Sequence, residues 1–181
     1  VATGWPRGIK IAVNLSTVQF QRGNLVAMVM NALATTGLAA ENLELEITES
    51  LILAQSNENL VTLRQLRDLG VRIAMDDFGT GYSSLSYLRD FEFDKIKVDR
   101  SFVHAISHDE GSRAIVSSIS NLAVNLGIDT TAEGVETQEQ LDVIKASGLT
   151  EVQGFYLGRP VRAEDTAALF AAPRSRAVHT A

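Results

Sequence analysis

Asp76 and Asp77 are adjacent carboxylates that close a short apolar run, Ile73-Ala74-Met75, and a loop rich in glycine and hydroxyls follows at once, Phe78-Gly79-Thr80-Gly81-Tyr82-Ser83-Ser84. Two acids at the end of a buried strand repel each other and lose hydration, so something positive must compensate them. Further polar residues stand where short β-prone runs end: Asn14, Glu46, Lys97, Glu133 with Glu136, and Gln153. Gathered into one cleft, Asn14, Glu46, Asp76, Asp77, Glu133 and Glu136 form an all-oxygen set, which suits hard divalent ions such as Mg²⁺ or Mn²⁺. Asp76 and Asp77 are placed to bridge or flank two ions. Two ions roughly 3.5 to 4 Å apart polarise a phosphodiester and lower the pKa of a water between them. Lys97 then holds a water or neutralises a phosphate oxygen, and a carboxylate serves as general base.

Taken singly, each of these residues has a plainer meaning. A Gly-X-Gly such as Gly79 to Gly81 marks only a turn, a strand-end Glu such as Glu133 complements a helix N-terminus, and Lys97 alone reads as a solvated or stacked lysine. His104 and His108, four residues apart in a polar segment, read as surface residues, and His179 carries no weight. The case rests on the strand ends meeting.

The order of elements decides whether they meet. Strand-like runs at 9–13, 43–47, 71–75, 93–98, 128–132 and 151–153 alternate with helical spacing. Leu25, Met28, Val29, Ala32 and Leu33 mark one helix, capped by Gly37; Leu60, Leu63 and Leu66 mark another, ending before Gly70. Ser84 to Arg89 leaves room for a short helix, and Ile115, Ile119, Leu122 and Leu126 predict the buried stripe of the next, ended by Gly127. Thr137 with Gln140 reads as a capping box, and a final helix is expected from Ala163 to Ala171. Alternating strands and helices demand a parallel sheet. Polar residues at nearly every strand's C-terminal end favour an α/β fold of the (β/α)8 TIM-barrel type over an open doubly wound sheet, because a barrel brings all those ends to one mouth. A full barrel takes about 250 residues. With 181 residues and six units, this chain is expected to lack the first two strands and their helices.

Composition agrees with one globular domain, expected over residues 1–172 with a disordered tail at 173–181: 45% of residues are hydrophobic and 21% charged. There is no cysteine, so disulfides and thiolate metal sites are excluded. A net charge of −6 argues against a bulk nucleic-acid surface. No apolar run is long enough to span a bilayer, and a cytoplasmic setting without membrane contact by this segment is expected.

In order, Asn14-Leu15-Ser16, Glu46-Ile47-Thr48-Glu49, Asp76-Asp77-Phe78-Gly79-Thr80-Gly81-Tyr82-Ser83-Ser84-Leu85, Lys97-Val98-Asp99-Arg100-Ser101-Phe102-Val103, Ala132-Glu133-Gly134-Val135-Glu136-Thr137 and Gln153-Gly154-Phe155 resemble the motifs of the bacterial EAL-domain phosphodiesterases. The resemblance implies a βα barrel that hydrolyses cyclic di-GMP to linear pGpG with two Mg²⁺ or Mn²⁺ ions, in the second-messenger signalling that governs biofilms. It assigns Asn14, Glu46, Asp76 and Asp77 to the metals and Glu133 to general base or water-mediated ligand. Lys97 and Glu136 fall to the bound waters, and Gln153 is a further polar member of the site. By the same resemblance Glu49 matches the residue that anchors the loop after Asp77, a loop that holds Phe78, Gly79, Thr80 and Gly81 here and in the family couples dimer contacts to activity. A homodimer through the region following Asp77 is therefore expected. So is an upstream sensory or GGDEF-type domain in a parent protein, with any membrane tether lying in such an upstream segment.

The Glu-Ala-Leu strand that names the family, with its metal-ligand glutamate and nearby arginine, has no counterpart in the chain. The expectation is a competent parent and an isolated chain that is not. The alternative is a receptor that binds cyclic di-GMP without turnover; retention of every downstream acidic ligand favours the enzyme.

Overall fold

The computed structural model describes residues 8–21, 23–49, 51, 56–80 and 85–171. Gly81 and the residues past 171 lie outside them. Strand β1 (Ile11–Asn14) leads to α1 (Thr17–Gln21) and α2 (Leu25–Thr36), β2 (Leu43–Thr48) to α3 (Ser56–Asp68), and β3 (Arg72–Phe78) to α4 (Leu85–Asp90). Strand β4 (Lys95–Val98) leads to α5 (Arg100–Ala105) and α6 (Glu110–Leu126), β5 (Asp129–Ala132) to α7 (Gln138–Ala146), and β6 (Glu151–Val152) to α8 (Thr166–Ala171). The punctuation follows local chemistry. Gly37 takes φ 68° after α2, where its missing Cβ removes the left-handed penalty, and Thr137 and Gln140 make both reciprocal bonds of the capping box ahead of α7. The last helix begins three residues later than expected, because Ala163, Glu164 and Asp165 form a turn.

The six strands are all parallel and lie in the order β1-β2-β3-β4-β5-β6. A doubly wound sheet reverses its strand order at a switch point; this one never does, so it is a singly wound wall of a βα barrel. It is also strongly curled. In a flat sheet β2 and β6 would stand four spacings of about 4.8 Å apart. Here Lys95 Nζ, on β4 between them, lies 2.9 Å from Glu44 Oε1 of β2 and 2.7 Å from Glu151 Oε2 of β6. The fold is thus a curled half-barrel of the (β/α)8 TIM type, clothed by helices.

Alternation along β2 and β4 sends apolar side chains outward to the helices and polar ones inward. Leu45, Ile47, Ile73, Ile96 and Val98 of the strands share one core with Leu63, Leu66, Val103, Ile106 and Ile144. Glu44, Glu46 and Thr48 of β2 and Lys95 and Lys97 of β4 face inward, and the four charged ones are buried. The barrel interior is therefore ionic where an apolar filling is usual.

Helix α6 departs from expectation. Its buried stripe is Ser112, Val116, Ile119, Ser120 and Ala123, while Ile115 and Leu126 are exposed. The small Ser120 and Ala123 let the helix backbone approach the sheet, which turns the larger Ile115 and Leu122 toward the helix flank. Among the described residues no helix is long and apolar enough to cross a membrane.

Candidate active site at the C-terminal ends of the strands

The centre of the site is an irregularity. Met75 of β3 stands beside Ile96 of β4, but Phe78, three residues on, stands beside Val98, only two residues on. Strand β3 therefore carries one extra residue opposite Lys97, a β-bulge. Asp77 absorbs it with φ 56°, the one positive φ outside glycine among the described residues. In a regular strand neighbouring side chains point to opposite faces. The bulge instead brings oxygens of Asp76 and Asp77, with one of Glu133, within 4.8 Å of one another. Thr80 fastens the loop behind it, its Oγ1 donating to the Asp77 carbonyl at 2.9 Å. Gly79, at φ 96°, passes so close to Phe102 that a Cβ would come within 3.0 Å of the ring.

Lys97 holds the cluster together. Its Nζ lies 2.6 Å from Glu133 Oε1, 2.8 Å from Glu46 Oε2 and 3.1 Å from Asp76 Oδ1, so one ammonium ties β4 to β2, β3 and the end of β5. Burial works against the charged lysine, but the Glu133 and Glu46 carboxylates outweigh it and hold the pKa well above the usual lysine range. Glu133 is raised, chiefly by burial and further by Asp76 and Glu46, with Lys97 pulling the other way. Asp77 is raised too, by burial first and then by Asp76 and Asp99.

Asn14 completes the ring from β1. Its amide meets Asp76 Oδ2 and Glu46 Oε2, each at 3.2 Å; one orientation donates N–H to both, the other sets three oxygens face to face. Asp76 Oδ1 is buried without a hydrogen bond, although Lys97 is near. Asp76, Asp77 and Glu133 offer three converging oxygens that could hold a hard cation, with Asn14 and Glu46 beside them and one buried Asp76 oxygen unsatisfied.

The remaining expected residues fall around this cluster. Gln153, just past β6, lines with Glu46 and Lys97 a cavity of about 450 Å³ along the inner face of the sheet. Glu49 is buried just beyond the end of β2. Glu136 turns aside: its Oε1 lies 3.7 Å from Nε2 of His104, a half-exposed residue read from sequence as surface only. Phe78 is buried beneath the bulge. Reading for strand ends missed a second charged layer, Glu44, Lys95 and Glu151, two residues deeper on β2, β4 and β6; the period of two that pairs Lys95 with Lys97 was the available signal.

Fold and site together define a βα-barrel protein with an acidic mouth at the C-terminal ends of its strands, where such barrels keep their chemistry. The chain belongs to the EAL domain family, whose model matches residues 2–160. It is 46% identical over 154 residues to the bifunctional diguanylate cyclase/cyclic di-GMP phosphodiesterase MucR of Pseudomonas aeruginosa, covering 85% of this chain and 22% of MucR. Its fold resembles a solved PaMucR phosphodiesterase in complex with c-di-GMP, with a TM-score of 0.86 and 44% identity over 91% of this chain and 66% of that one. It also resembles a manganese and cy-diGMP complex of Klebsiella pneumoniae BlrP1, with a TM-score of 0.82 and 36% identity over 88% of this chain and 41% of that one. The chain spans about a fifth of the length of the curated relatives it matches.

Proposed function

We propose that this chain carries most of the polar groups of a phosphodiesterase site that hydrolyses cyclic di-GMP to linear pGpG with two divalent cations, Mg²⁺ or Mn²⁺. The observation that carries the reading is the convergence of Asn14, Glu46, Asp76, Asp77 and Glu133 around one buried lysine. The names of the relatives and the ligands of the like folds support it. Cations held by Asn14, Glu46, Asp76 and Asp77 would polarise the phosphoryl oxygens and acidify the attacking water.

The chain's own groups do the rest. Glu133, held by Lys97 at 2.6 Å and beside the Asp76-Asp77 pair, accepts the water's proton. Lys97 stays cationic, orients Glu133 and offsets charge building on the phosphate. Attack at phosphorus breaks the bond to the ribose 3′ oxygen, which leaves with the bonding electron pair and takes a proton from solvent to become the 3′ hydroxyl, and opens the ring to a linear dinucleotide with a 5′ phosphate. Gln153 borders the substrate, Glu136 would reach its waters only by leaving His104, and Glu49 steadies the loop after Asp77. Homodimerisation beside that loop is part of the proposal, supported by an open apolar groove of Phe78, Gly79, Ile115, Ile119 and Leu122. Light scattering that finds only monomer under all metal and nucleotide conditions would remove it. A cyclase domain elsewhere in the parent is supported by the name of MucR.

The test is chromatography of cyclic di-GMP incubated with Mn²⁺ and either this chain or the longer polypeptide that contains it. The longer polypeptide is expected to yield pGpG and to lose at least about 100-fold of that activity on Glu133→Gln. The Glu-Ala-Leu strand is absent from this chain, which is expected to bind Mn²⁺ without comparable turnover. Tight metal-independent binding with no pGpG from either protein would favour a receptor instead.

A further inference from the structure

Beneath the mouth lies a second charged layer to which the proposed reaction gives no part. Lys95, 6% exposed, donates to Glu44 Oε1 at 2.9 Å and pairs with Glu151 Oε2 at 2.7 Å. Thr131 Oγ1 donates to the same Glu151 oxygen at 3.1 Å. Glu44 is 3% exposed; its second oxygen makes no hydrogen bond and stands 4.0 Å from Arg72 Nε, itself tied to Asp129 Oδ2 by Nη2 at 3.3 Å. Three buried or half-buried charges in the middle of a barrel are costly unless they do something that apolar side chains cannot.

Their register shows what that is. Glu44 and Glu46 lie two apart on β2, Lys95 and Lys97 two apart on β4, and Glu151 and Gln153 two apart at β6. The deeper layer repeats the mouth layer one pleat below it. β2 and β6 make no backbone bonds to β4, since β3 and β5 intervene. Lys95 is thus a chord across the curl, fixing by ionic contact a spacing that the backbone ladder leaves free to flex. Burial works to lower the Lys95 pKa, yet the bonds to Glu151 and Glu44 raise it, so the chord stays charged.

We infer that Lys95, clamped between Glu44 and Glu151, is the positioning residue of the mouth: it sets how far β2 and β6 stand from β4, and so where Glu46, Lys97 and Gln153 present their polar atoms. The clamp matters most under the proposed cation chemistry, on which this part of the inference rests. A cation held by Glu46 and Asp76 would compete with Lys97 for their oxygens and weaken its hold on β2 and β3. The deeper clamp contains no proposed ligand and keeps its grip.

The test uses the full 181-residue chain labelled with ¹⁵N-lysine, with the Nζ ammonium signals recorded without metal and Mn²⁺ binding then followed by electron paramagnetic resonance. Glu151→Gln alters the half-exposed end of the clamp and should leave the circular dichroism spectrum unchanged. Its Lys97 ammonium signal is expected to shift and to exchange with water about 10-fold faster, and Mn²⁺ affinity is expected to fall about 10-fold. The neutral triple variant E44Q/K95M/E151Q should show both effects, and Lys95→Arg, which keeps a cation between the intact Glu44 and Glu151, should show neither. An unmoved Lys97 signal in folded Glu151→Gln and in the triple variant would overturn the inference and leave the layer a mere stabiliser. Failure of the unaltered chain to bind Mn²⁺ would count against the cation reading of the mouth, while the ammonium signals would still decide the role of Lys95.

Discussion

Asp77 shares a face with Asp76 because a β-bulge and a φ of 56° undo the alternation that would otherwise send the two carboxylates to opposite sides of the sheet. The local backbone is thus spent on crowding two like charges opposite Lys97, a combination that favours ligand capture over stability.

That arrangement predicts a trade. Asp77→Gly accepts the positive φ without strain and removes one of the repelling acids. Calorimetry should show the variant at least as stable as the parent chain, by up to about 1 kcal/mol, while Mn²⁺ titration shows weaker binding. A clear loss of stability would mean that Asp77 is a structural residue.

Lys97→Met strips the ammonium from Glu46, Asp76 and Glu133 and leaves buried carboxylates uncompensated. Urea unfolding is expected to show a loss of about 3–5 kcal/mol without metal. Millimolar Mn²⁺ should recover part of it, because a cation among the same oxygens does the work of the lost charge.

The deeper layer sets a pH window. Burial tends to raise Glu151, but Lys95 and Thr131 outweigh it and hold the group below its ordinary 4.5, so its contribution is present above that value and lost as pH falls through the depressed pKa. Lys95 is raised above its ordinary 10.5, so its contribution is present below that value and lost as pH rises through the raised pKa. Melting temperatures of the chain and of E44Q/K95M/E151Q should therefore differ by a constant amount from about pH 5 to pH 10 and converge at both extremes. A difference that grows toward acid pH would contradict the assignment.

Gly154→Ala tests how Gln153 is seated. A Cβ at Gly154 would collide with the backbone of Val135, its oxygen and nitrogen lying closer than any side-chain contact allows, and backbone cannot swing aside. Val135 and Gln153 are also joined by a backbone bond at 3.0 Å. A loss of more than about 3 kcal/mol in urea unfolding is expected.

The sequence by itself determined the alternation of strands and helices, the caps at Gly37 and Thr137, and the polar residue waiting at each strand's end, because periodicity and capping are local properties of neighbouring residues. Parallel strands with unreversed order then made the meeting of Asn14, Glu46, Asp76, Lys97 and Glu133 a matter of topology. Other features depended on contacts between strands far apart in the chain. Only the tertiary structure turned the α6 stripe away from Ile115 and Leu126, aimed Glu136 at His104, and showed Lys95 as a chord between β2 and β6. The Asp76-Asp77 pair belongs to both sides. Its composition announced a site, but its shared face came from pairing β3 against β4 one residue out of step, and a register shift is a relation between two strands that neither strand's residues encode alone.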